Sequence, residues 1–282
     1  MKYLVGRDVL QAIPLSKYKY WDQTIPLFTK GAYPDGAEAS TQGVAPYTVL
    51  YETGPDGQKS SQTGPTEWLT GIPTITNADT LGIRPDLIGR PITSWADLIN
   101  PEFKGKAALN ESPTTGVIDV AMAVEARGAV KYRNKGNMTR DETINLMIDI
   151  KKSGHFRSFW TTFDQSVNLM ASGEVVIQSM ISPAVTAVRT RGIPCVFQPL
   201  REGYRGWGTT LAPMKHLSGL KLDCFYEYMN WYTSGFQGAF IARQGYYSGV
   251  PENAKSSSPK RSGITGTAAS RQLPTSPIPT AN

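Results

Sequence analysis

Side chains that commonly carry catalysis or hold metals are few and scattered in this sequence of 282 residues. The two histidines, His155 and His216, lie far apart and have no neighbouring cysteines, whereas a metal site needs several ligands at fixed spacing. Cys195 and Cys224 form no CxxC pair, and no Walker loop or GxGxxG follows a predicted strand. The acidic residues show no spacing that singles out a catalytic pair. We therefore expect no metal centre, no cofactor and no catalytic residue.

Two serine–proline pairs stand where a predicted strand is followed by a predicted helix. Ser112-Pro113 follows one apolar segment and Ser182-Pro183 follows another. Serine suits the N-cap and proline suits the first helical position. Helix starts expose unpaired N–H groups with a partial positive charge, and ligands of α/β proteins bind at the carboxyl ends of such strands. Plain helix capping explains each pair taken alone, so the pairs favour a binding cleft only in combination with other signals.

The elements that must position these pairs alternate between strand and helix over residues 106–200. The spacing T-x-x-E at residues 139–142 and T-x-x-Q at residues 162–165 is that of a capping box, so each predicts a helix start. Gly173 suits the end of the second helix because glycine tolerates the left-handed backbone. This alternation predicts an α/β layer with a parallel or mixed sheet.

Further elements are predicted on either side of this region. They are a strand at residues 48–51, an extended stretch at 68–76, a short helix that begins at Ser94, a strand at 209–214 and a helix at 220–234. Leu220, Cys224, Tyr228 and Trp231 share one face of the last helix, and an apolar stripe of this kind is expected to pack in the core. Both cysteines are expected to be buried free thiols, and a disulfide between them is the alternative that stays open.

Composition and charge are those of an ordinary globular protein. Hydrophobic residues make up 40% and charged residues 18% of the chain, and no segment approaches the about 20 apolar residues of a membrane span. The net charge of +6 is scattered, and its densest cluster, at residues 131–135, is too small to predict nucleic-acid binding. The first residues lack the apolar run of a secretory signal. We expect one or two domains with a solvated surface.

Residues 91–106, with the sequence PITSWADLINPEFKGK, resemble a segment of solute-binding proteins of the spermidine/putrescine type, where a helix precedes the first crossing between lobes. Five further landmarks follow the order of that family. They are residues 77–82, residues 170–175, residues 189–194, Trp207 and residues 244–246. The resemblance covers roughly residues 8–254. The sequence is therefore similar to the periplasmic, or extracellular, solute-binding proteins of ABC transporters.

This resemblance implies a two-lobed α/β fold of the periplasmic binding protein class, type II, with the ligand in a cleft that closes by a hinge. Residues 1–104 would begin lobe one, residues 105–200 would form lobe two, and residues 201–254 would return to lobe one. Residues 255–282 contain no aromatic side chain and are rich in Ser, Thr, Pro and Gly. That composition predicts a disordered tail.

Both ends of the sequence depart from the family pattern. The signal peptide, first strand and helix with which the family begins have no counterpart, so lobe one is expected to be incomplete. Where the family has an aromatic-rich segment, this chain has residues 255–263, and a shifted reading frame of back-translated DNA restores a family-like segment. The expectation is a chain truncated at its N-terminus and frameshifted near residues 254–258.

Polyamine binders of the family hold amines with carboxylates between aromatic walls. The resemblance gives the cleft aromatics counterparts at Trp207 and Tyr246, but it aligns the acidic positions with Ser112, Thr115 and Thr209. A buried ammonium without a carboxylate partner costs several kcal/mol. Weak or absent binding of spermidine and putrescine is therefore predicted.

Asp164 and Glu111 are the acids that remain near the expected cleft. Hydroxyls and helix starts suit a neutral, zwitterionic or anionic solute, and Asp164 would hold one amine if it points into the cleft. The candidate ligand-binding residues are Ser112, Thr115, Asp164, Ser182, Trp207, Thr209 and Tyr246.

The resemblance implies the substrate-binding component of an ABC-type importer, which is not an enzyme and delivers a small polar solute to an inner-membrane permease. It further implies a periplasmic location and a monomer without a nucleic-acid partner. Two alternatives stay open, namely a non-functional remnant of such a protein and a hydrolase that uses Asp164 with another acid of the cleft. If a ligand stabilises the chain and is not turned over, the chain is a solute-binding protein and neither a remnant nor a hydrolase.

Overall fold

The computed structural model describes residues 4–5, 7–33, 36, 40, 42–43, 46–57 and 64–258. The strands are β1 (Ile13–Pro14), β2 (Trp68–Leu69), β3 (Ile72–Ile83), β4 (Ala107–Asn110), β5 (Phe156–Trp160), β6 (Ile177–Met180), β7 (Val196–Gln198), β8 (Arg205–Leu211) and β9 (Tyr247–Ser248). The α-helices are α1 (Pro26–Thr29), α2 (Pro46–Leu50), α3 (Gly116–Ala126), α4 (Arg140–Lys152), α5 (Phe163–Ser172), α6 (Ser182–Thr190), α7 (Gly219–Thr233), α8 (Phe236–Ala242) and α9 (Pro251–Ser256). Short 3₁₀ helices occupy Leu15–Lys17, Trp21–Gln23, Trp95–Ile99, Pro101–Phe103 and Lys135–Asn137.

Strand β3 takes part in two sets of strand pairings. Between Ile72 and Asp79 it pairs antiparallel with β8 and β9, and between Thr80 and Ile83 it pairs antiparallel with β6 and β7. The second set runs in the order β5-β4-β6-β3-β7, and β4 is parallel to both β5 and β6. The predicted mixed α/β fold is confirmed, and one continuous strand joins its two parts.

Each part has its own apolar core. The core beside β1 and β2 includes Ile13, Phe28, Leu50, Leu69 and Met229. The core beside β4 and β6 includes Leu81, Trp95, Leu109, Val120 and Ile177. Trp95 is fully buried there, although the sequence assigned residues 1–104 to lobe one. Packing thus associates the segment between β3 and β4 with the part predicted as lobe two.

Local signals predict the helix ends of the second part well. Thr139 and Glu142 form a reciprocal capping box at the start of α4, and Thr162 and Gln165 form another at the start of α5. Gly173 ends α5 with a left-handed φ of 77°. These bonds close within three or four residues, so the sequence pattern contains them completely.

One predicted strand is a helix. Residues 48–51 were expected to be extended, whereas α2 runs over Pro46–Leu50. The β-branched Thr48 and Val49 favour a strand when considered alone, but strand preference depends on the surface a segment packs against. Leu50 lies in the same core as Phe28 of α1, and this tertiary packing decides the conformation.

Helix α3 begins at Gly116 instead of Pro113. The side-chain oxygen of Asn110 accepts hydrogen bonds from the N–H of Ser112 and the hydroxyl of Thr115, each at 2.7 Å. The carbonyl of Ser112 accepts from the N–H of Gly116 at 2.9 Å. These bonds close a turn before the helix, so the prediction that Ser112 is the N-cap is wrong.

The apolar stripe of α7 faces outward. The exposed fractions of Leu220, Tyr228 and Trp231 are 82%, 48% and 51%. The helix packs through another face, on which Met229 and Thr233 are buried. The prediction of core packing is wrong because periodicity identifies an apolar face but not the face that finds a neighbouring element.

The two cysteines differ in environment. Cys195 is a buried free thiol, as predicted, and burial raises its pKa to about 11. Cys224 belongs to the outward stripe of α7 and is an exposed free thiol, so its predicted burial is wrong.

The end of the described chain is helical. Lys255 and Ser256, which were expected to be disordered, belong to α9. Ser257 and Ser258 form a turn after α9, and their N–H groups donate to the carbonyls of Asn253 and Lys255. Residues 259–282, the remainder of the predicted tail, lie outside the described residues.

Candidate functional site

The parallel strands β4, β5 and β6 direct their following loops to one edge of the sheet. Ser112 and Thr115 lie in the loop after β4, Asp164 lies in the first turn after β5, and Ser182 follows β6 almost directly. Strand β3 is antiparallel to β6, so it enters the sheet at this same edge. Its earlier residues, which pair with β8 and β9, lie beyond the edge. The structure therefore collects four predicted site residues at an edge where ligands of α/β proteins commonly bind.

A groove opens beside this edge, between the starts of α5 and α6 and the segment that follows α8. Its volume is about 610 Å³, and it is lined by Phe163, Pro183, Thr186, Ala187, Arg243, Gln244 and Tyr246. Small-molecule sites usually measure about 300–1,000 Å³ and combine apolar walls with a few polar groups. The groove has the size and lining of such a site.

Two aromatic rings predicted for the cleft lie together at the groove. The ring of Tyr246 contributes to the lining, and the ring of Trp207 packs edge to face against it, with centroids 6.1 Å apart and an interplanar angle of 75°. Trp207 itself is not among the side chains that line the groove. Such a pair supplies apolar contact area and holds the ring of Tyr246 in place.

Ser182 connects the groove to β3. Its hydroxyl donates to the carbonyl of Gly245 and accepts from the side-chain N–H of Asn77 at 2.9 Å. Ile181, not Ser182, is the N-cap of α6, so the predicted capping role is wrong. The hydroxyl instead ties the start of α6 to β3 and to the segment that carries Tyr246.

The other predicted hydroxyls also have partners within the protein. Ser112 and Thr114 share a hydrogen bond of 2.9 Å between their hydroxyls, and the hydroxyl of Thr115 donates to Asn110. Thr209 and Thr74 share a bond of 2.9 Å across β8 and β3. These side chains shape the edge of the sheet, and their role toward a solute stays a prediction.

A buried charge cluster that the sequence did not predict lies behind the aromatic pair. One carboxylate oxygen of Asp79 accepts from the indole N–H of Trp207 at 2.7 Å and from the guanidinium of Arg205 at 3.0 Å. Arg205 also donates to Asp119 at 2.6 Å. The side chains of Asp79 and Asp119 are only 2% and 1% exposed. The cluster therefore joins β3, β8 and α3 at the point where β3 passes from one set of partners to the other.

This cluster contains more acid than base. Burial raises the pKa of Asp79 to about 7, against the opposing effects of Arg205 and Trp207. Burial also raises the pKa of Asp119. The second carboxylate oxygen of Asp79 accepts no hydrogen bond from any described residue, whereas the Asp119 carboxylate also interacts with the hydroxyl of Ser179. Two buried carboxylates beside one guanidinium leave one negative charge without a partner, which costs desolvation free energy. Binding of one proton by the cluster near neutral pH would reduce that free-energy cost.

Asp79 was a landmark of the resemblance but received no role from the sequence. One available signal was an acid in the middle of a strand of mostly apolar and threonine residues, since an unpaired buried charge is strongly disfavoured. Its partner Arg205 lies 126 residues further along the chain. No local pattern could identify that pair.

Charge inside the groove is positive. Among the described residues that line it, Arg243 alone carries a formal charge. Asp164 follows Phe163 at the start of α5, is exposed, and is not among the lining side chains. The groove thus offers one cationic group beside two aromatic rings.

Metal ligation and membrane spanning can be judged for the residues that the structure describes. No group of three or more His, Cys, Asp or Glu side chains in that part of the chain could hold a metal ion. No described helix is both long enough and apolar enough to pass through a lipid bilayer.

Comparison with known proteins gives one family match. A family described as bacterial extracellular solute-binding protein matches residues 2–262. No curated protein sequence matches the chain significantly.

Solved structures that include ABC substrate-binding proteins share the fold. One from Bradyrhizobium japonicum is 16% identical with a TM-score of 0.61, over 95% of this chain and 68% of that protein. A GABA receptor is 20% identical with a TM-score of 0.63, over 90% of this chain and 65% of the receptor. A spermidine/putrescine substrate-binding protein from Streptococcus pneumoniae is 13% identical with a TM-score of 0.58, over 90% of this chain and 66% of that protein. The chain thus spans about two thirds of the length of these structures.

Proposed function

Because the chain belongs to the bacterial extracellular solute-binding protein family, we propose that it binds a small polar solute in the groove beside Tyr246 and delivers it to the permease of an ABC importer. The family serves transport and is not an enzyme family. Its members act outside the cytoplasm, and we extend this location to the present chain. We also propose that the chain acts as a monomer.

One observation carries this proposal. The groove of about 610 Å³ lies between helices α5 and α6 of one part and the segment after α8 of the other. A solute placed there would contact both parts at once, which is the arrangement that lets a ligand favour a closed state. Trp207 packs edge to face against the ring of Tyr246, and this contact restricts the ring of Tyr246 before a solute arrives.

The path of β3 supports a hinge in the same place. Asp79 is the last residue paired with β8, and Thr80 is the first paired with β6. Rotation of one part against the other would need only small backbone changes near this point. The segment after α8 and the start of α6 would then approach each other across the groove.

The solutes named for the structural relatives, GABA and spermidine/putrescine, are small and polar. They support the size and polarity of the proposed solute. The hydrolase alternative has no such support, because Asp164 is exposed and no acid is found among the described residues lining the groove.

A thermal-shift screen followed by calorimetry tests the proposal. The panel contains amino acids, organic acids, amines and sugars. A solute present at about 100 times its Kd should stabilise the chain by about 2.7 kcal/mol. Tyr246→Ala should weaken binding of the best solute about tenfold. Tyr228→Ala, on the outward face of α7, is the matched control and should bind normally.

Two results would reject the function. One is that no solute raises the unfolding midpoint of a chain that unfolds cooperatively, which is the outcome expected of a remnant. The other is turnover of a bound solute, which would indicate an enzyme.

A further inference from the structure

The charge of the groove indicates which class of solute it accepts. We propose that the solute carries a carboxylate and that Arg243 binds this group, a proposal that rests on the proposed function. The groove would then select organic acids and amino acids over polyamines.

The position of Arg243 is the first argument. It follows the last residue of α8, is exposed, and lines the groove together with Gln244 and Tyr246. It forms no ion pair with any described acidic residue. Other arginines at the same edge, such as Arg205, are already paired with carboxylates. The guanidinium of Arg243 is therefore available to a planar anion, which it can bind through two parallel hydrogen bonds.

The start of α6 is the second argument. Pro183 and Thr186, in its first turn and a half, line the wall of the groove. The first turn of a helix carries a partial positive charge. The start of α6 therefore adds a partial positive charge to the full charge of Arg243, and this full charge outweighs the partial negative charge at the end of α8, where Arg243 lies.

Asp164 is a nearby acid whose negative charge opposes the positive charge of Arg243 and of the start of α6. It lies in the first turn of α5, next to the lining residue Phe163, and is exposed to solvent. Its charge is screened by water and complements the start of its own helix. It leaves room for a solute that carries an amine in addition to the carboxylate. A solute with amines alone would gain nothing from the Arg243 guanidinium and would place a second positive charge near it.

Arg243 also has a plain structural role, because a cation at the end of α8 complements the helix dipole. That role affects stability but does not depend on a solute. Binding measurements therefore separate the two roles, provided that the unfolding free energy of each variant is measured without ligand.

Three probes with an identical spacer of three methylene groups test the class directly. They are glutarate with two carboxylates, 4-aminobutyrate with one carboxylate and one amine, and 1,3-diaminopropane with two amines. Calorimetry on the full chain should detect the first two and not the third. Arg243→Gln should weaken binding of the carboxylates about tenfold to a hundredfold, the range for a lost charged hydrogen bond. Arg243→Lys, which keeps the charge but loses the planar fork, should weaken it less.

Arg140→Gln is the matched control. Arg140 is an exposed arginine at the first position of α4 and does not line the groove. This variant should bind the probes as the wild type does. Raising the salt concentration should weaken binding to the wild type more than binding to Arg243→Gln.

The outcomes distinguish this inference from the proposed function. If a solute from the wider panel binds but the tightest one has no anionic group, or if Arg243→Gln binds carboxylates as well as the wild type, the inference is wrong and the function stands. If 1,3-diaminopropane binds as tightly as glutarate, the inference is likewise wrong. If no solute binds the folded chain, both are rejected.

Discussion

Replacing Asp79 by asparagine should change how the stability of the protein depends on pH. Asparagine has nearly the same shape, and its carbonyl oxygen can accept the same bonds from Trp207 and Arg205 that the carboxylate accepts at 2.7 and 3.0 Å. The substitution removes the titrating group and leaves the Arg205–Asp119 pair in place. It therefore removes the proton of Asp79 and leaves Asp119, whose pKa burial also raises, as the remaining acid of the cluster.

The direction follows from proton linkage. Burial raises the pKa of Asp79 from its ordinary value of 3.8 to about 7 in the folded chain. Between these two values the folded state binds more protons than the unfolded state, so this residue makes the protein less stable as pH rises. Each pH unit in the window corresponds to about 1.4 kcal/mol. From about pH 4 to about pH 7, the wild type should lose as much as about 4 kcal/mol relative to Asp79→Asn.

Urea unfolding at a series of pH values from 4.5 to 8, followed by tryptophan fluorescence, measures this difference. Taking the difference between variant and wild type cancels titrating groups that do not interact with Asp79, such as His155, whose pKa is lowered by burial. Asp86→Asn is the control. Its hydrogen bond with Arg84 lowers the pKa of Asp86, so its removal should shift the curve without changing its slope in this range. Parallel curves for Asp79→Asn and the wild type would show that Asp79 is ionised throughout, and the argument from burial would be refuted.

Further predictions concern packing and thiol reactivity. Met229→Ala should lower the unfolding free energy by about 2–5 kcal/mol, because Met229 is fully buried, whereas Trp231→Gln should change it by less than about 1 kcal/mol. If the two variants lose the same unfolding free energy in chemical denaturation, the outward orientation of the α7 stripe is contradicted. Gly116→Ala should cost more than about 2 kcal/mol, because a Cβ there would lie 1.8 Å from the backbone oxygen at the end of β4, and near wild-type stability in the same assay would refute that contact. A disulfide reagent should modify Cys224 rapidly in the folded chain and Cys195 only after unfolding, so two fast thiols would contradict the structure.

The sequence by itself determined the features whose interactions are short in range. The capping box of Thr139 and that of Thr162 close within three residues, and Gly173 adopts the left-handed backbone that ends α5. Each requires only residue types at fixed spacing, so the pattern predicts the bond. The ordered landmarks of the resemblance were specific enough to identify the family and its α/β fold.

Part of the candidate site could also be predicted. Trp207 and Tyr246 were expected at the cleft, and their rings lie 6.1 Å apart beside the groove. Arg243 was not predicted, although it precedes the landmark at residues 244–246. A lone arginine in a sequence is most often a solvated surface charge, and only the groove around it suggests a ligand.

Tertiary structure alone decided which groups are buried and which are paired. The apolar face of α7 was visible in the sequence, but the fold packs another face of that helix against the core. Asp79 and Arg205 meet across 126 residues, because β3 and β8 are neighbours in space. Burial and charge pairing depend on the segments that the fold brings together, and no spacing within one segment encodes them. For this reason the raised pKa of Asp79 and the positive groove were visible only in three dimensions.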